Sequence, residues 1–139
     1  MNNTTYIFKD LVNINEGITT GTITNAAMLF TKEYFYVIPL DAIGSTGMTI
    51  TQTDYTNAEE FIAYITSNID SLSNIELHKI MVDFLPPNRI HKVITLDKFT
   101  IKTGWLTGGI RYKQTGENLK TVNIQPKEIR VKLKEFYNV

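Results

Sequence analysis

The feature that most restricts this chain is a change of hydrophobic period in its middle. Ala58, Phe61, Ile62, Ile65 and Ile69 fall on one face of a 3.6-residue repeat. Leu77, Ile80, Met81 and Phe84 make a second such stripe. Pro86-Pro87 ends it, because proline lacks an N–H and the residue before it avoids the helical region. Both helices carry start signals. Thr56 or Asn57 can cap the first, with Glu59 or Glu60 three residues on, and Ser73 with Glu76 has the capping-box spacing. On either side of this pair the period is two. Strands flanking a helical pair predict an α+β fold with a mostly antiparallel sheet of about seven strands, as one domain over residues 1–139.

Composition leans the same way. The chain holds 19 Thr and 18 Ile but only five Ala, so β-branched residues dominate and the best helix former is scarce. Residues 18–40 read as consecutive strands carrying Ile18, Ile23, Ala27, Leu29, Phe35, Val37 and Leu40, with a turn at Thr31-Lys32-Glu33. Asp41 to Gly47 reads as a loop and Met48 to Thr53 as a further strand. After Arg89, Val93 and Thr95 lie in one strand, Leu96-Asp97-Lys98 turns, and Phe99, Ile101 and Thr103 form an inward row. Thr107-Gly108-Gly109 reverses the chain into Ile110 and Tyr112, and Thr115 to Asn118 turns it into Leu119 to Ile124. At the C-terminus Ile129, Leu133 and Phe136 fit a helix from Pro126, while Ile129, Val131 and Leu133 fit a strand. Pro126 followed by Lys and Glu favours the helix.

Absent residues exclude several chemistries. With no Cys there are no disulfides, thiolate metal sites, thiol nucleophiles or Fe–S clusters. The longest apolar runs, Ala26 to Phe30 and Phe35 to Leu40, are far below the ~20 residues of a membrane-spanning helix. Met1 to Thr5 lacks the features of a signal peptide, so the expected location is cytoplasmic. His78 and His91 are the only histidines and are expected to be solvated or satisfied in the core. Gly44-Ser45-Thr46-Gly47 lacks the lysine of a phosphate-binding loop and reads as a plain turn. Glu59 and Glu60 diverge on a helix and suit its first turn. No catalytic residue, cofactor or metal is expected.

Net charge is zero but unevenly divided. Residues 1–83 carry three basic and ten acidic residues, whereas residues 84–139 carry eleven basic and four acidic ones. If residues 98–103 and 109–115 form a hairpin with Phe99, Ile101, Ile110 and Tyr112 inward, its other face carries Lys98, Lys102, Arg111 and Lys113. The expected pairing sets Lys102 against Arg111. Like charges opposite one another across strands cost stability. Such a face is expected to meet an anionic membrane surface, an acidic protein, nucleic acid or the chain's own acidic first half. Nucleic acid is disfavoured by a pI near 6.7 and by the lack of an RNP-like or zinc-finger pattern. Trp105, with Leu106 at the tip, either enters a membrane interface or partner or folds back on the core.

The stretch Gly21-Thr22-Ile23-Thr24-Asn25-Ala26-Ala27-Met28-Leu29-Phe30-Thr31-Lys32-Glu33-Tyr34-Phe35-Tyr36-Val37 resembles the opening strands of bacterial PH-like and GRAM domains. Leu29, Thr31, Lys32 and Phe35 carry the likeness, which covers about 20 of 139 residues. Glu33-Tyr34 stands where those families favour basic residues. The resemblance implies a barrel of about seven strands closed by the terminal helix, the two central helices being an insertion. It also implies a binding module for a protein partner or anionic surface. The alternatives are a small enzyme or ligand-binding protein, with Tyr34, Tyr36, Tyr64 and Asp83 supplying polar groups to a pocket, and an immunity- or antitoxin-like interaction protein.

Overall fold

Ten residues near the N-terminus, Tyr6–Asn15, form a strand (β1) that alternation alone conceals. A bulge between Lys9 and Val12 reverses the parity, so Ile7 and then Val12 and Ile14 all face inward although they do not share one period-two series. This is seen in a computed structural model, which describes residues 5–17, 21–43, 49–50 (backbone only) and 57–139. β1 pairs with β2 (Ile23–Thr31) on one side and with β8 (Lys120–Asn123) on the other, so it lies mid-sheet.

β2 and β3 (Tyr34–Ile43) form the expected hairpin around Lys32-Glu33. β3 runs on to Ile43 where a loop was expected from Asp41, because Asp41 and Ala42 pair with Asn25 and Thr24 beyond a second bulge. β4 (Thr49–Ile50) pairs with the end of β3. Ile18, Thr56 and Gly44 to Met48 lie outside the described residues, as do 51–55. Ala26 to Thr31 and Phe35 to Ile38 are buried without a break, as befits strands covered on both faces.

The strands run in the order β4-β3-β2-β1-β8-β7-β6, with β6 at Lys98–Lys102 and β7 at Gly109–Lys113. Every pairing is antiparallel, and β5 (Ile90–Lys92) joins the start of β3. The sheet does not close into a barrel. It curls far enough that Phe35 of β3 stacks on Phe99 at 5.9 Å and meets Tyr112 edge-on at 5.0 Å. Inside the curl lies a core of Ile7, Val12, Ile14, Met28, Phe30, Val37, Ile110 and Val122. The C-terminal helix α3 (Lys127–Tyr137) adds Leu133 and Phe136 to it, and Tyr137 Oη donates to Thr31 O at 2.7 Å. The strand alternative for this segment would point Val131 inward, but Val131 is 37% exposed.

The opposite face of β2 and β3 carries Ala27, Leu29, Tyr36 and Ile38. α1 (Ala58–Asn68) and α2 (Asn74–Phe84) cover it with Ala58, Ile65, Leu77 and Met81. The capping box of α2 is reciprocal: Glu76 N–H donates to Ser73 Oγ and Ser73 N–H to Glu76 Oε1. Asn57 precedes α1 without a side-chain cap.

Val93 and Thr95 do not share a strand. Residues 93–95 wind into a 3₁₀ turn in which Leu96 N–H returns to Val93 O and Thr95 Oγ donates to Lys92 O. Pairing with β3 ends there, with Val93 N–H on Glu33 O.

Candidate functional site

Strand parity does place Lys98, Lys102, Arg111 and Lys113 on one outward face of the β6–β7 hairpin. The register differs from expectation. Arg111 lies opposite Thr100, Lys102 opposite Gly109, and Lys98 opposite Lys113. The cause is Gly109, which enters the strand instead of the turn. Its φ of +152° and a would-be Cβ only 1.8 Å from Val122 O admit no other residue. Two of the four cations therefore face uncharged neighbours. The one head-on pair is relieved by Asp97, whose carboxylate lies 3.6 Å from Lys113 Nζ and accepts from Thr115 Oγ at 2.7 Å.

The acidic first half reaches other cations. Glu16 pairs with Arg89 and Glu33 with Lys92. Among the described residues Lys98, Lys102 and Arg111 have no ion-pair partner. Lys98 and Lys102 also occupy the terminal strand of the sheet, where lysines discourage edge-to-edge pairing.

The outward face extends beyond the hairpin, which the sequence reading missed. Thr121 and Asn123 of β8 lie beside Arg111 and Gly109. A row of amides then crosses the sheet through Asn123, Asn13 and Asn25 to Asp41. Asn13 Nδ2 donates to Asn25 Oδ1, and Asn25 Nδ2 to Asp41 Oδ1 at 2.6 Å. Where this row meets the hairpin, Lys102, Gly109, Arg111, Thr121 and Asn123 line a shallow groove of about 190 Å³. The face is thus graded from a carboxylate at one side to cations at the other.

The hairpin tip carries two adjacent exposed apolar side chains. Trp105 is 80% exposed and Leu106 73%, so Trp105 does not fold back on the core. Its backbone is tied down from below. Arg130 of α3 is wholly buried, and its guanidinium donates to Gly104 O, Trp105 O, Ile124 O and Gln125 Oε1. Gln125 Nε2 donates to Leu106 O at 3.2 Å. Arg130 stands three residues before Leu133 on the buried stripe of α3, which was the signal available for it.

A second polar group sits inside the curl. His91, 1% exposed, places its ring 4.9 Å from Tyr112 and 5.0 Å from Phe35, with Nδ1 3.3 Å from Gln114 Oε1. His91 Nε2 and Tyr112 Oη are buried without a protein partner. Burial pushes the His91 imidazole below its usual range and the Tyr112 phenol far above its own. The Arg89–Glu16 pair and Lys120 border this group, and an open cleft of about 270 Å³ lies outside it between Glu16, Glu117 and Lys120.

Of the four polar groups considered for a pocket, the structure unites two. Tyr34 and Tyr36 stack at 6.1 Å beneath α2, and Tyr36 Oη lies 2.8 Å from His78 Nδ1. His78 is therefore held in packing. Tyr64 and Asp83 are exposed on the helices and do not join them. Glu59 and Glu60 occupy the first turn of α1 as read. Gly44 to Gly47 lies outside the described residues.

Among the described residues no cluster of three His, Asp or Glu side chains could hold a metal ion. No helix there is long and apolar enough to cross a membrane. Compared with protein-family models, curated proteins and solved structures, the chain matches none.

Proposed function

We propose that the chain is a non-catalytic binding module that engages an anionic surface through the β6–β7 hairpin. The observation that carries this reading is the tip: an exposed Trp105–Leu106 pair on an anchored backbone, beside cations that no described carboxylate neutralises. Tryptophan suits a boundary between apolar and wet media, and lysine stems lie along apolar surface while their ammonium groups reach anions. The PH-like reading belongs to the same proposal. A seven-strand path followed by a C-terminal helix packed in the curl supports it.

The test uses Trp105, the chain's single tryptophan, as its own probe. Vesicles containing phosphatidylserine are expected to shift its emission to the blue and carry the protein on flotation, while neutral phosphatidylcholine vesicles do not. Replacing Lys102 and Arg111 by glutamine weakens this about 30-fold, at about 1 kcal/mol per cation near an anionic membrane. Unchanged partition in that variant, or equal partition into neutral vesicles, defeats the membrane form of the proposal. Specific, salt-sensitive capture by an acidic protein without vesicle binding would assign the same face to a protein partner.

A second reading has one observation behind it. The buried His91 and Tyr112, with their unpartnered atoms, are the polar groups a ligand-binding interior would use. A small-molecule screen read by protection of wild type and loss of protection in Tyr112→Phe tests it.

A further inference from the structure

A buried arginine demands explanation. Arg130 is 0% exposed, and among the described residues no carboxylate pairs with it. An unpaired charge is expensive to bury unless its hydrogen bonds are satisfied. Here its two terminal nitrogens are satisfied mostly by backbone, while Nε is buried without a hydrogen-bond partner. It donates to Gly104 O, to Trp105 O at 3.4 Å and to Ile124 O at 2.8 Å, and to the Oε1 of Gln125 at 2.9 Å. Gln125 in turn holds Leu106 O. Three consecutive carbonyls of the tip, those of residues 104–106, are thus bound from the protein side. Gly108 closes the arrangement: at φ +156° its backbone passes so near Arg130 that an added Cβ would lie 2.9 Å from Nε and 2.4 Å from Lys102 O.

With the carbonyls turned inward, the side chains of Trp105 and Leu106 are left facing solvent. We infer that Arg130, with Gln125, is a positioning residue that pre-organises the Trp105–Leu106 tip for the surface it binds. This rests on the binding role proposed above for the hairpin. The physical gain is entropic. A loose tip must be ordered during binding, at a cost set by each immobilised side chain, whereas a tip ordered during folding is not charged again. The general requirement is that binding side chains be held by a supporting set of hydrogen bonds, and the Arg130–Gln125 pair meets it.

The clamp and the binding role are separable by experiment, because Trp105 reports both. Its fluorescence anisotropy decay in free protein measures tip order without any partner. Partition into phosphatidylserine vesicles measures binding. Two variants are needed, since Arg130→Met removes a buried side chain, whereas Gln125→Ala alters an exposed one and frees one tip carbonyl. Each is compared only where far-UV circular dichroism and the thermal unfolding transition show a folded protein. The expected result is a new fast anisotropy component in both, larger in Arg130→Met, with partition reduced about tenfold in Arg130→Met and less in Gln125→Ala.

Unchanged anisotropy in both folded variants overturns the clamp. Loosened anisotropy with undiminished partition overturns its role in binding while leaving the hairpin's role standing. Partition that survives Trp105→Ala overturns the hairpin reading itself, and with it any service of the clamp to membrane binding. If Arg130→Met does not fold, Gln125→Ala decides by the same two readouts.

Discussion

Breaking the Arg89–Glu16 pair offers the most decisive check on how the two oppositely charged halves are joined. Glu16 follows β1, and Arg89 closes the 3₁₀ turn that leads from α2 into β5. Both carboxylate oxygens are engaged, at 3.2 Å to one guanidinium nitrogen and 3.1 Å to the other, and the side chains are only 9% and 13% exposed. Two unit charges at such separations attract by about 5 kcal/mol at an effective dielectric constant near 20. Much of that offsets the cost of desolvating them, so the whole pair adds little to stability. Removing one partner is different, because the other charge stays buried. Arg89→Met or Glu16→Gln is expected to cost about 3 kcal/mol, toward the low end of the range for buried pairs because water still reaches Glu16. For a chain of this size that lowers the melting temperature by roughly 10 °C. The double variant Glu16→Gln/Arg89→Met should recover most of the loss. Urea unfolding followed by circular dichroism gives all the corners of the cycle. Single variants costing under about 1 kcal/mol, or a double variant as damaging as the sum of both, would refute the argument.

The remaining expectations are briefer. His91 has a folded-state pKa below its usual 6.5, so the unfolded chain takes up the proton first. Stability therefore holds above about pH 6.5 and falls as the pH drops below it, toward the lowered folded value, with the nearby Arg89 and Lys120 charges resisting protonation. Urea midpoints at pH 7.5 and 5.5 should differ in wild type and converge in His91→Phe, and an unaltered pH slope in the variant contradicts this. Gly109→Ala should cost at least about 2 kcal/mol and disorder the hairpin, since both its φ and the 1.8 Å approach to Val122 O oppose a side chain. Wild-type amide exchange in β6 and β7 of that variant would contradict it. Ser73→Ala should cost about 1 kcal/mol by removing the acceptor for Glu76 N–H, with thermal melts as the check.

How far the fold could be read depended on whether its determinants were local. α1 and α2 were legible because each apolar stripe lies within a few turns, and for α2 the Ser73–Glu76 box formed as spaced, although Asn57 caps α1 with no side-chain bond. The outward parity of Lys98, Lys102, Arg111 and Lys113 was legible for the same reason. Their register was not, because it depends on how closely Gly109 approaches β8. β1 was hidden by the bulge between Lys9 and Val12, which breaks its alternation.

By itself, then, the sequence determined the two central helices and the side-chain parity of the β6–β7 hairpin, since these follow from backbone propensity and period over a turn or two. Only the tertiary structure decided what the buried polar groups meet. Arg130 shares its helix with Lys127, Lys132 and Lys134, yet its donors meet carbonyls 25 and 26 residues away. His91 stands between Phe35 and Tyr112, which come together only when the sheet curls. The tip carbonyls that receive Arg130 and the rings that enclose His91 are distant in the chain, and no local pattern records those meetings.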